Sequence, residues 1–302
     1  MKIISNTMCE FFFKTQEESN MIQNNYEPLS PEEKWKNATI ANNFIFYKVM
    51  RNNPEVCKEL LEILLEMEID HIEMHGEETI ENDFGSKGIR LDVYAKNDSH
   101  VFNLEMQASD SKELPERSRY YQGSIDVDCL MSGQIYRNLK DSFVIFICIA
   151  DLFEKGLACY SFENLCREDH SIRLNDRSFK YFFIASNCDK ILDERQKAFL
   201  KVVVGQKASD SFSKKIEQLT EEAKHNTQWK RQYMEWERQR TYDFENGKEV
   251  GKIEGSQQKA IEDAKSFYAN GASIELIANS LKMTIEQVKE IVKDVVQVKV
   301  EA

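Results

Sequence analysis

The stretch that decides the fold is residues 89–107, IRLDVYAKNDSHVFNLEMQ. Its first half alternates, with Leu91, Val93 and Ala95 on one face and Arg90, Asp92 and Tyr94 on the other. Its second half sets Phe102, Leu104 and Met106 against Asn103, Glu105 and Gln107. A period of two belongs to strands, because successive side chains leave opposite faces of the pleat. Lys96-Asn97-Asp98-Ser99-His100 between them is a polar turn cluster, so the two runs read as an antiparallel hairpin. If the hairpin closes symmetrically on Asp98 and Ser99, paired residue numbers share the sum of 98 and 99, and Asp92 faces Glu105. Carboxylates directly opposed on one face, with Cβ atoms about 4.5–5.5 Å apart, repel each other. A divalent cation between them would remove the conflict, and Gln107, two residues on, shares that face. Two carboxylates beside a polar side chain suit a hard ion such as Mg²⁺, which keeps several waters and takes few protein ligands. Such an ion can activate water and neutralise charge on a phosphoryl oxygen. The plain alternative is a half-exposed hairpin whose acids are solvated.

Outward from the hairpin, residues 43–67 carry apolar positions at mixed three- and four-residue spacing, an amphipathic helix broken near Pro54. Residues 69–80 alternate weakly among many acids and read as a strand. A long helix is expected over residues 115–140, and residues 143–150 form a continuous apolar run typical of a strand covered on both faces. Residues 157–162 and 179–185 are further strands, and residues 189–203 a closing helix. This order predicts an α/β core with a mixed sheet. Four segments are expected: an irregular leader over 1–36, the core over 37–205, a helical, glycine-spaced linker over 206–258, and a small helix-turn-helix-like tail over 259–302. In the linker, Gly247, Gly251 and Gly255 recur at every fourth position, which means either close backbone packing or a loose connection. Ser273 and the Thr284-x-x-Gln287 capping box open two short helices. The last mixes Glu286, Glu290 and Asp294 with Lys289 and Lys293, a poor surface for phosphate, so docking or dimerisation is favoured over DNA reading.

The 302 residues, 41% hydrophobic and 30% charged with 4 Pro and 11 Gly, describe a foldable, helix-rich chain and exclude collagen-like or wholly disordered classes. The longest apolar run, residues 143–150, is far short of the roughly 20 residues a membrane helix needs. Acidic and polar residues flank Phe11, Phe12 and Phe13, so no secretory core is read there and a cytoplasmic location is expected. The seven cysteines are odd in number and lack a Cys-x-x-Cys pair, so neither disulfides nor a zinc knuckle is expected. Net charge is −12, yet unevenly spread: residues 61–110 hold 13 acids against 3 bases, and residues 111–140 hold 4 against 5. An acidic block beside a slightly basic one suits a cation site next to an anionic substrate, though a solvated acidic face gives the same count.

RLDVYA (90–95), NLEMQ (103–107), ERSRYYQGSIDVDCL (116–130) and FVIFICIADLF (143–153) resemble the PD-(D/E)XK nuclease family transposases, or recombination-promoting nuclease (Rpn) proteins. The resemblance spans about residues 37–203, and the glycine-spaced tail is similar to that family's usual appendage. It implies a restriction-endonuclease-like α/β fold, a mixed sheet flanked by helices with an all-helical C-terminal appendage. It further implies a Mg²⁺-dependent DNA endonuclease tied to mobile elements and DNA recombination, with Mn²⁺ as a substitute and Asp92 and Glu105 as metal ligands. Gln107 stands where the wider superfamily places a lysine. Glutamine can align a water but supplies no charge to the pentacovalent phosphate, so another group must compensate or activity falls. On the following helix Arg117, Tyr121 and Ser124 share one face, and Arg119 and Gln122 a neighbouring one. Arg119 and Gln122 are the foremost candidates for substrate phosphate, with Arg117 and Tyr121 beside them; an arginine paired with Glu113 or Glu116 is the plain alternative. Glu59, Glu62, Glu66 and Asn43 are candidates for a further ligand. His71 and His75 lack the Glu that a zinc-protease helix requires and read as structural. The expected partner is DNA, without membrane, with a possible homodimer through the C-terminal helices. The rival reading is a catalytically weak nuclease-fold protein that binds DNA or regulates a partner.

Overall fold

The computed structural model describes residues 29–75, 79–80, 89–90, 92–108 and 112–295. Alternating runs and apolar runs become a six-stranded sheet in the order β1 (Glu73–His75), β4 (Val93–Lys96), β5 (His100–Gln107), β6 (Asp141–Cys148), β8 (Ser178–Ile184), β7 (Cys159–Phe162). The first three strands are antiparallel, β5, β6 and β8 run parallel, and β7 returns antiparallel on the edge. A separate two-stranded piece pairs β2 (Thr79–Ile80) with β3 (Ile89–Arg90). This is the mixed α/β sheet expected, and the hairpin register is the symmetric one: Val93 pairs with Leu104 and Lys96 with Val101. Asn97 fixes it. Its Oδ1 accepts from the backbone N–H of Ser99 at 3.0 Å and of His100 at 2.7 Å, and its Nδ2 donates to the carbonyl of His71 at 3.1 Å.

Helices cover both faces. The break at Pro54 separates α2 (Asn43–Asn52) from α3 (Pro54–Leu65), and α2 packs on β4 and β5 over the face that carries Phe102, Leu104 and Met106. α5 (Glu194–Val203) and α6 (Ser211–His225) extend this layer; α6 packs on both α2 and α5. The other face receives α4 (Leu114–Cys129), whose Leu114, Tyr121 and Ile125 bury against Val144, Phe146 and Phe182. The crossover helix is shorter than the expected 115–140: Leu130 leaves it with extended backbone, and Gly133, at φ +87°, turns the chain toward β6. Within the segment expected to be irregular, α1 (Pro31–Lys36) is a helix, closed by a Ser30–Glu33 capping box. Its Trp35 is buried, donates from Nε1 to the Lys224 carbonyl at 3.2 Å and meets the ring of Tyr233. Six residues, fewer than two turns, are too short to show periodicity, so the sequence pattern concealed it. Residues 1–28 lie outside the described residues.

The chain divides into two compact units, one running to Tyr233 and the other starting at Met234. The boundary falls inside α7 (Thr227–Ala269). In the second unit α8 (Ile274–Leu281) and α9 (Ile285–Val292) pack Ile277, Ala278, Val288 and Val292 around Ala264. The Ser273 cap and the Thr284–Gln287 capping box form as read. Gly247, Gly251 and Gly255 lie within α7, and a Cβ added at any of them would meet nothing within 4 Å among the described residues. Packing among the described residues of this chain therefore does not account for their spacing.

Candidate active site

The hairpin register carries Asp92, one residue before β4, to Glu105 near the C-terminal end of β5. The Asp92 N–H donates to Glu105 Oε1 at 3.0 Å, and the Met106 N–H donates to Asp92 Oδ2 at 3.4 Å. Each acid is thus held by the other strand's backbone. The face is not solvated: Glu105 is 3% exposed, with Asn103 buried beside it. α4 closes over this face, which the half-exposed alternative did not anticipate. Burial and the Asp92 charge push the Glu105 carboxyl up to about 8.

Positive charge reaches the pair from α4. Arg117 donates from Nη1 to Gln107 Oε1 at 3.1 Å, and from Nη2 to Glu105 Oε2 at 3.4 Å and to the Tyr121 hydroxyl at 3.0 Å. Its guanidinium also lies 5.3 Å from the Tyr121 ring centroid and 5.7 Å from that of Phe146, which limits its freedom. Long side chains on a helix lean toward its N-terminus, so residues at i and i+4 meet on one face; that face, Arg117 and Tyr121, is the one pressed to the sheet. A guanidinium therefore stands beside Gln107 and brings the positive charge that a glutamine does not supply.

Arg119 and Gln122 are not brought to the acids. Gln122 is buried, its Nε2 donating to Asp126 Oδ1 at 3.2 Å and to the Ser142 hydroxyl. Arg119 projects on the far side of α4 into a separate cleft, and it pairs with neither Glu113 nor Glu116. Helix phase separated the two pairs, and sequence could not say which face would meet the acids. The C-terminal end of α4 is tied to β4: Asp128 accepts from Lys96 Nζ at 2.7 Å and from the Tyr94 hydroxyl at 3.2 Å. The first-helix acids are engaged elsewhere, Glu59 with Arg195, Glu62 with Lys58 at 2.8 Å and Glu66 with Gln196 at 3.0 Å. Asn43 bonds the N–H of Phe44. Among the described residues no cluster of three or more His, Cys, Asp or Glu side chains forms. The chemistry of the remaining donors fits a hard divalent ion that keeps most of its waters: two facing carboxylates with an amide oxygen alongside.

A hairpin with opposed acids, followed by a helix that crosses to a parallel strand, is consistent with a nuclease-like α/β fold. The chain belongs to the PD-(D/E)XK nuclease family transposases, which match it over residues 42–270. No curated protein and no solved structure matches it.

Proposed function

We propose that the chain is a DNA endonuclease dependent on a divalent cation, Mg²⁺ or Mn²⁺, held by Asp92 and Glu105. The observation that carries this reading is the facing of two acids on a covered sheet face, one of them 3% exposed, in a chain of this family. Held there, such an ion would supply Lewis acidity, offsetting phosphate charge and lowering the pKa of the attacking water, whose proton would pass to bulk solvent. The protein's own groups do the rest. Backbone N–H groups fix both carboxylates before substrate arrives, so little reorganisation is needed. Gln107 orients the nucleophile by hydrogen bonding but cannot take its proton. Arg117 contributes the fixed positive charge for the pentacovalent phosphate; as a guanidinium it stays protonated and does not serve as a base.

The test is supercoiled plasmid nicking with Mg²⁺ or Mn²⁺. Activity in the wild type that disappears in Asp92→Ala and in Glu105→Ala supports the reading; nicking unchanged in both variants removes these residues from the chemistry. One observation favours a second reading, a regulatory nuclease-fold protein: the Arg117 contact with Glu105 at 3.4 Å offsets the buried charge without any ion. Calorimetry separates the two. Metal heat lost in Asp92→Asn supports the enzyme, and no metal heat in the wild type supports the regulator.

A further inference from the structure

A cleft of about 510 Å³ opens on the side of α4 away from Arg117, with Arg119, Lys180, Phe153, Phe162 and Phe182 in its wall. Strand register places Glu105, Phe146 and Phe182 in one row, and Val144, Lys180 and Phe162 in the row below, all on the α4 face. Two strand spacings, about 10 Å, therefore separate Phe182 from Glu105. The cleft is a neighbour of the acids across the same helix.

Its chemistry is that of an aromatic anion's receptor. Among the described residues neither Arg119 nor Lys180 forms an ion pair; Lys180 Nζ donates to Ser178 Oγ at 3.3 Å. Of the acids around the cleft, Glu163 is engaged by Arg173 at 2.7 Å, while Asp176 and Asp126 act on Lys180 from a distance without forming an ion pair with it. Phe162, on the edge strand, is 43% exposed, and its ring stands nearly perpendicular to that of Phe182, with centroids 5.7 Å apart. Phe153 closes the third side at 5.3 Å, on a loop whose carboxylate Asp151 accepts the Phe153 N–H at 3.0 Å. An exposed aromatic ring flanked by cations that form no ion pair is what a base with its phosphate requires, and a base inside a duplex cannot offer its face.

We propose that this cleft seats an unstacked nucleobase of single-stranded DNA, with Phe162 stacking on the base and Arg119 and Lys180 meeting the flanking phosphates. The preferred substrate is then single-stranded or frayed DNA rather than continuous duplex. This rests on the reading of DNA as the substrate, and binding without turnover separates the two claims. The full chain in EDTA is titrated into a short single-stranded oligonucleotide carrying 2-aminopurine, and into its duplex. The proposal expects tighter binding of the single strand, a change in 2-aminopurine fluorescence, and affinity weakened roughly 5- to 100-fold in Phe162→Ala but restored in Phe162→Trp. Arg119→Ala, at an exposed position, weakens binding independently of any effect on the edge strand. Equal affinity for strand and duplex with no fluorescence change overturns the cleft, even if plasmid is nicked with Mg²⁺. Competition by free dAMP as strong as by the oligonucleotide overturns the assignment to a strand. A protein that binds the single strand as described yet never nicks keeps the cleft and loses the hydrolytic reading.

Discussion

At the scale of the residue, Glu105 concentrates the cost of the site. With its carboxyl raised from 4.5 to about 8 by burial and by Asp92, the folded protein holds a proton that the unfolded chain has lost. The penalty is absent below pH 4.5, grows through this window and is complete above about 8. Glu105→Gln keeps the acceptor for the Asp92 N–H and removes the charge. It should therefore raise the Tm of the metal-free protein by several degrees at pH 8, leave it unchanged near pH 4.5, and abolish nicking. A lower Tm at pH 8 would remove the electrostatic explanation. Arg117 is the second residue on which the proposed mechanism turns. Arg117→Ala should reduce the nicking rate by about 10²–10³-fold, the usual effect of losing a transition-state charge contact, while metal heat measured by calorimetry persists. Arg117→Lys should recover part of the rate, since it keeps the charge but loses the simultaneous contacts with Gln107, Glu105 and Tyr121.

At the scale of the element, the loop after β6 is organised by one carboxylate. Asp151 accepts from the backbone N–H of Phe153, Glu154 and Gly156, and from the Tyr160 hydroxyl at 2.8 Å. Burial works against its charge, but these bonds, that of Tyr160 foremost, outweigh it and hold the carboxyl below its ordinary 3.8. The stability it contributes is present above pH 3.8 and fades as pH falls through the lowered value. Asp151→Asn should cost about 2 kcal/mol in urea unfolding at neutral pH, with the difference narrowing in acid. Because this loop carries Phe153 into the cleft, the variant should also weaken oligonucleotide binding. A substitution without effect on either measurement would mean that the loop holds its shape through Phe153 packing alone. The strand and helix order was legible from the period of the apolar residues. The end of α4 was not, because Gly133 and the extended Leu130 act through backbone geometry and leave the apolar pattern intact.

At the scale of the whole molecule, a net charge of −12 argues against a broad electrostatic grip on DNA. On the proposed reading, engagement depends on a few local cations, Arg119, Lys180 and Arg117. For single strands the salt slope is roughly −0.7 per phosphate neutralised, so log K against log salt should fall with a slope of about −1.4 to −2. A slope steeper than about −4 would reveal a basic surface elsewhere and displace the cleft as the main contact. The second unit, with its own small core around Ala264, carries mixed charge on α9 and adds little to such a slope. No described helix is long and apolar enough to cross a membrane.

By itself the sequence determined the hairpin, its register and the facing of Asp92 with Glu105, because a period of two and a polar turn are local properties of a chain. It also determined the caps of the last two helices, which need only residues three apart. Tertiary structure alone decided that Glu105 is covered, that Arg117 and Tyr121 rather than Arg119 and Gln122 meet the acids, and that Lys180, Phe162 and Phe153 converge. Those outcomes depend on the rotation of α4 about its axis and on which strands lie side by side, and both are settled by packing between segments far apart in the chain.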